Sequence, residues 1–159
     1  MFNKIINNNF KRRFIEDRKA LERIDIMAFI NKTHQGASIE EDFKSDNQAF
    51  RDTMFKLARL VTPRGSVACF TYAAGVSLLL DKLGFKYDVY AGLCIPQSLP
   101  SHDKDVADFK ARIERGDKIN LATHIYLVVD GKPYEYYSGE FTNITKVHVV
   151  IVEVYKNGY

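Results

Sequence analysis

The chain has 159 residues, of which 46% are hydrophobic and 27% charged, and its formal net charge is +3. This length suits one ordinary hydrophobic core rather than two full domains, and no apolar run is long enough to span a membrane. The small net charge, together with the lack of a secretory leader pattern and of a disulfide framework, predicts a cytoplasmic protein that binds neither membrane nor nucleic acid.

One long helix is predicted near the N-terminus. Apolar residues recur at helical spacing from Phe10 to Phe29, opposite a charged face, and the helix is expected to end by Gly36. Its basic residues are interpreted as a solvated face: Lys11, Arg12 and Arg13. His34 lies in a polar stretch and is predicted to be at the surface.

A second helix is predicted after a polar connection. Residues 35–44 are polar and charged, and they are interpreted as a loop. Ser45 and Gln48 fit a capping box that starts the helix, which is expected to stop before Pro63. The apolar residues predicted to face inward are Phe50, Met54, Leu57, Ala58 and Val61.

A buried helix is predicted to begin at Cys69, because small residues precede it and apolar residues follow at helical spacing until Gly84. The unpaired N–H groups and the dipole of a helix start stabilise a thiolate and can hold an oxyanion. Cys69 is therefore a candidate nucleophile. The alternative is an inert core cysteine, since free cysteine is among the most buried residue types.

The middle of the chain predicts a strand, a loop and a surface helix. Alternating apolar residues give a strand over Phe85–Cys94. Cys94 is expected to be structural, and the alternative is that it is the reactive thiol. The loop over residues 95–103 contains His102, which is another candidate for a catalytic base. The polar residues around it indicate instead a histidine exposed to solvent. A narrow apolar stripe over residues 103–115 predicts a helix that covers a sheet edge.

A hairpin follows. Residues 121–129 alternate in the manner of a strand, and Asp130 and Gly131 are typical of a two-residue turn before a second, aromatic-rich strand. Val129 is then predicted to pair with Lys132.

This register places an acid beside a histidine. Tyr126 lies opposite Glu135, and His124 lies opposite Tyr137, so that Glu135 is diagonal to His124 on the same face. Tyr126 and Tyr137 are predicted to line a substrate cleft.

A last strand is predicted from about Ile144 to Tyr155, and its two apolar faces favour a central position in a covered sheet. His148 is interpreted as a strand residue without a catalytic role. Helices first and antiparallel strands later indicate an α+β fold. Residues 1–45 are predicted to form a helical arm packed on a core of residues 46–159, within one compact domain.

Cys69, His124 and Glu135 supply three complementary chemical groups. A thiolate attacks an acyl carbon, an imidazole carries the thiol proton to the leaving group, and a carboxylate fixes the tautomer of the imidazole.

These motifs resemble the core of the transglutaminase-like superfamily, a circularly related branch of the papain-like cysteine enzymes. The similar features of the first block are Ser66 to Cys69, Ala73, Leu80 to Gly84, and Tyr90 to Gly92. The second block, histidine and aromatic residue on one strand and an acid on the next, is matched by His124, Tyr126 and Glu135. This chain has Glu where Asp is expected, Tyr where Trp is common, and no Gln about six residues before the cysteine.

The resemblance implies a papain/transglutaminase-like core, with the cysteine helix packed on an antiparallel sheet. It implies a cysteine hydrolase or acyltransferase that acts on a peptide, protein or small amide substrate through a thioester, with peptidase or amidase activity favoured. No metal or cofactor is predicted. The alternative is a non-catalytic binding or regulatory module, because a fold does not imply a function.

Overall fold

The computed structural model describes residues 9–63, 67–96, 107–108, 111–112, 114–116, 123–136 and 147–158, and for residues 9–10, 93–96, 123 and 147–153 it describes the backbone only. The helices are α1 (Asn9–Glu22), α2 (Ile26–Thr33), α3 (Ile39–Ser45), α4 (Gln48–Ala58) and α5 (Cys69–Leu83). The strands are β1 (Asp88–Pro96), β2 (Thr123–Val129), β3 (Lys132–Tyr134) and β4 (Val147–Tyr155). The predicted α+β class is confirmed.

Helix α5 lies at the centre of the fold, as its sequence predicts. Every residue from Thr71 to Leu80 is buried, which is typical of a helix that is covered on all sides. Helices α1 and α4 and strand β2 pack against it. It ends as predicted at Gly84, which takes the left-handed conformation with φ of 82° and donates its N–H to Leu80.

The sheet is antiparallel, with the strand order β3-β2-β1-β4. The predicted hairpin is confirmed, because Val129 pairs with Lys132 across a turn in which Asp130 and Gly131 have φ of 48° and 77°. Two positive φ angles are what a type I′ turn requires. The buried side chains that alternate along β1 and β2 toward the helices are Val89, Ala91, Ile125, Leu127 and Val129.

The single long N-terminal helix was a wrong prediction. The structure divides it into α1 and α2, and the side chain of Asp25 accepts a hydrogen bond from the N–H of Ala28 at the start of α2. A helix start of this kind satisfies N–H groups that a continuous helix would bond internally. The apolar pattern continues through the break, because Leu21 and Ile26 both reach the same core.

The loop predicted over residues 35–44 was also wrong, because α3 occupies most of it. Ser38 accepts from the N–H of Glu41 and caps this helix, and acidic residues fill its first turn. Asn47, rather than Ser45, caps α4 by accepting from the N–H of Phe50. Charged residues that stabilise the helix start had been interpreted as a sign of a loop.

Helix α3 contributes Phe43 to an aromatic cluster that joins the helices to the sheet. The Phe43 side chain is 1% exposed. Its ring centroid lies 4.6 Å from that of Tyr134 in β3, 5.2 Å from that of Phe85 and 5.6 Å from that of Phe50 in α4. The core cluster of buried side chains runs from Phe14 in α1 to this cluster and therefore includes both the predicted arm and the predicted core.

The predicted central position of the last strand was wrong for the sheet that the described residues form. In that sheet β4 is an edge strand that pairs with β1, and the register shifts by one residue between Ala91 and Gly92. Apolar residues on both faces of a strand indicate covered faces, but they do not determine which neighbours the strand pairs with.

Several predicted features lie outside the described residues. They include His102, Tyr137, most of the helix predicted over residues 103–115, and the side chains of Cys94 and His148. Over the part of the chain that is described, no helix has the length and apolar character needed to cross a bilayer.

Candidate active site

Cys69 is the first residue of α5, as predicted. The residue before it, Ala68, has no side chain that could cap the helix start. The backbone N–H groups of Cys69 and Phe70 lie near the sulfur and favour its ionised form. A third N–H comes from Ile125 in β2, which places the sulfur against that strand.

The loss of hydration has the largest effect on the pKa of this thiol. Desolvation raises the pKa of Cys69 to about 11, although the three N–H groups act in the opposite direction. The sequence had suggested that the helix start would favour the thiolate, and here the loss of hydration outweighs that effect. Cys69 is therefore a neutral thiol at physiological pH.

The pH dependence of thiol alkylation tests this protonation state. A thiol with a pKa near 11 is ionised to only about one part in 1,000 at pH 8, so that iodoacetamide should react slowly. We expect the rate for Cys69 to rise about tenfold per pH unit up to about pH 11. Mass mapping of the labelled protein gives this rate separately from that of Cys94. Fast labelling of Cys69 at pH 6 would contradict the assignment.

His124 and Glu135 form the pair that the hairpin register predicts. His124 lies in β2 and is 2% exposed. Its Nε2 lies 3.3 Å from Oε1 of Glu135, whose side chain is 28% exposed. Leu127 pairs with Tyr134, which sets Glu135 one residue further along, opposite Tyr126. A carboxylate that binds Nε2–H leaves the lone pair of a neutral imidazole on Nδ1.

The same strand carries the histidine and meets the sulfur. The sulfur of Cys69 faces the N–H of Ile125, which is the residue directly after His124. The structure therefore brings His124 and Glu135 together, and it places the Cys69 sulfur at the backbone of the residue after His124. Because the side chain of Ile125 faces the helices, that of His124 lies on the other face of the sheet, where it stacks on Tyr126.

Tyrosine rings lie on both faces of the sheet near these residues. Tyr126, a predicted substrate residue, stacks on His124 with ring centroids 5.3 Å apart and lies 5.6 Å from the ring of Tyr90 in β1. On the helix side, Tyr136 stacks on Tyr72 at 5.2 Å. Sequence reasoning missed Tyr72, whose position three residues after Cys69 puts it on nearly the same face of the helix.

A second histidine lies in a polar cluster and corrects the surface prediction for His34. Its Nε2 lies 2.6 Å from Oδ2 of Asp42, and its Nδ1 lies 2.7 Å from Oγ1 of Thr53. Asn47 donates to the other carboxylate oxygen of Asp42 at 2.8 Å. This Asn47 bond and the bond from His34 hold the pKa of Asp42 below its usual value. The cluster joins α2, α3 and α4, and it contains no group near Cys69.

Within the described ranges, no group of three or more His, Cys, Asp and Glu residues is arranged to hold a metal ion.

No protein-family model, curated protein or solved structure matches this chain. The function is therefore inferred from the chemistry of the site.

Proposed function

We propose that this protein is a cysteine-dependent hydrolase or acyltransferase with a papain/transglutaminase-like core, acting on an amide or a thioester. The observation that carries the proposal is the His124–Glu135 pair, 3.3 Å apart, on a strand whose next N–H faces the Cys69 sulfur. A nucleophile, a base and an acid that orients the base are the minimum set for covalent acyl chemistry.

The proposed reaction has two stages. In the first, the Cys69 sulfur bonds to the substrate carbonyl carbon, while Nδ1 of His124, which must reach the sulfur around the end of β2 from the other face of the sheet, takes the thiol proton. That proton passes to the leaving amine or thiol as its bond to the carbon breaks, which leaves a thioester on Cys69. In the second stage, His124 takes a proton from water, the hydroxide adds to the thioester carbon, and the acid leaves as the thiol is restored.

The raised pKa of Cys69 determines how the first stage begins. A thiol with a pKa of about 11 is not a preformed thiolate, so proton transfer to His124 accompanies attack on the substrate. Glu135 supports the positive imidazolium that forms. The N–H groups of Cys69 and Ile125, which lie near the sulfur, are the donors that we assign to the negative charge on the carbonyl oxygen.

We favour hydrolysis, by a peptidase or an amidase, over transfer to an amine. Water needs no acceptor pocket of its own, whereas an amine acceptor requires a second binding site. Tyr126, which stacks on the imidazole, is proposed to contact the substrate acyl group, and Tyr137 remains a prediction for the same role.

A second candidate function is a binding or regulatory module with the same fold. The observation that favours it is the loss of hydration at the Cys69 thiol, which raises its pKa, together with the packing of this partly exposed residue against the core.

The two candidates are separated by turnover of a chromogenic thioester and an acyl p-nitroanilide. The hydrolase predicts that the wild type releases chromophore and that Cys69→Ala releases none above the solvent background, with denaturation midpoints unchanged. Cys94→Ala serves as the matched control and should retain activity. Equal rates for the wild type and Cys69→Ala would overturn the hydrolase proposal.

A further inference from the structure

Helix α1 is anchored along α5 by a buried arginine. Arg18 is 8% exposed, and its guanidinium donates to Oγ of Ser77 at 2.7 Å and to the hydroxyl of Tyr87 at 3.2 Å. It also forms an ion pair with Asp81 near the end of α5. Phe14 of α1 is fully buried in the core, so α1 is fixed to the body of the fold.

One residue before this anchor, α1 also contacts the turn that carries the nucleophile. The hydroxyl of Thr71, which is fully buried, donates to Oδ2 of Asp17 at 2.8 Å. Helical threonines commonly bond the carbonyl four residues earlier, and this one bonds another helix instead. Arg13, one turn earlier on α1, lies over the ring of Phe70 at 5.1 Å.

The first turn of α5 is thus held from several directions. The sulfur of Cys69 meets β2 at Ile125, Tyr72 stacks on Tyr136, and Thr71 is bonded to Asp17. Of these three contacts, the one between Asp17 and Thr71 is a side-chain hydrogen bond, at 2.8 Å, and it ties the first turn of α5 to α1.

We infer that Asp17 is a positioning residue for Cys69, acting through the Thr71 hydroxyl to keep the sulfur against β2. The inference rests on the proposed function for its effect on catalysis. A displacement of about 1 Å at a reacting group can lower a rate about 100-fold, so that a bond two residues from the nucleophile is expected to matter.

The role requires an acceptor oxygen rather than a charge. Burial raises the pKa of Asp17, while the bond from Thr71 and the nearby Arg13 oppose the rise. An asparagine at this position keeps an oxygen that accepts from Thr71, and alanine removes it. Asp17→Asn and Asp17→Ala therefore form a matched pair, with Glu16→Ala as a control on the exposed side of α1.

The experiment measures two rates on each folded variant: alkylation of Cys69 by iodoacetamide at pH 8, and acylation by a chromogenic thioester. In Asp17→Ala the loosened turn admits water to the sulfur, so alkylation should rise about tenfold, which corresponds to a fall of about one unit in the thiol pKa. Acylation should fall about tenfold to 100-fold. Asp17→Asn and Glu16→Ala should behave like the wild type in both measurements.

These opposite changes distinguish positioning from a general loss of stability, which would raise alkylation in every destabilised variant. If Asp17→Ala leaves both rates unchanged, or if Asp17→Asn behaves like Asp17→Ala, the inference is overturned. If the wild type is not acylated at all, the proposed function fails, while the alkylation rates still decide the positioning role. If Asp17→Ala does not fold, Thr71→Val and Thr71→Ser make the same comparison from the other side of the bond.

Discussion

Replacing His124 by alanine is expected to lower the rate of acyl transfer to Cys69 by about 100-fold to 10,000-fold, the range typical of a lost general base. The effect should be large because the thiol has a pKa of about 11 and cannot ionise by itself near neutral pH. Stopped-flow measurement of chromophore release from a thioester gives the acylation rate directly.

The His124 experiment needs a control for packing, because the side chain is 2% exposed. His124→Gln keeps much of the volume and a polar group but cannot serve as the base, so it should lose nearly as much rate as His124→Ala. His148→Ala, which removes another histidine of the sheet, should stay close to the wild type. If His124→Ala keeps a rate within about threefold of the wild type, the imidazole does not move the thiol proton.

Replacing Phe43 by alanine is expected to lower the free energy of unfolding by about 3–5 kcal/mol. This side chain is 1% exposed and contacts three aromatic rings, so alanine leaves a cavity between α3, α4 and β3. Single domains are stable by only about 5–15 kcal/mol, so the loss is a large fraction of the total. Urea denaturation followed by circular dichroism measures it.

Phe43→Leu provides the matched control, because it keeps most of the volume and removes only the ring contacts. It should lose about 1.5 kcal/mol or less. Phe55, which is 37% exposed in α4, gives a second comparison, and Phe55→Ala should change stability far less than Phe43→Ala. A loss below about 1 kcal/mol for Phe43→Ala would mean that α3 does not pack into the core as described.

The parts of the site that could be predicted from sequence are those set by local rules. The small residues before Cys69 and the apolar spacing up to Gly84 are enough to place the cysteine at a helix start. The Asp130–Gly131 turn fixes the hairpin register, and a fixed register determines that Glu135 lies beside His124 on one face.

Other features depend on contacts between distant segments, which no local pattern contains. The pKa of Cys69 is raised because the surrounding protein removes water from the sulfur, whereas the helix dipole alone predicts a lowered pKa. His34 lies in a polar stretch, yet Asp42 and Thr53 from two other helices enclose it. Helix α3 has seven residues, too few for a periodic signal, and its burial depends on the rings that meet Phe43.

The hydrogen bond between Asp17 and Thr71 is another contact between distant segments that no local pattern predicts. Neither residue is distinctive in the sequence, and 54 positions separate them. The bond forms because α1 packs along α5. The apolar pattern of α1 predicts that this helix packs on the core, but it does not predict which residues of α5 lie opposite Asp17.

The most direct test of the central claim is the location of an acyl group after a single turnover. The protein is mixed with an equimolar activated thioester, quenched in acid, and digested for peptide mass mapping. A triad on β2 predicts one acyl group, on Cys69, in the wild type, with little on that residue in His124→Ala over the same interval. An acyl group found only on lysine or tyrosine side chains, or equally on Cys69 in both proteins, would contradict the proposed function.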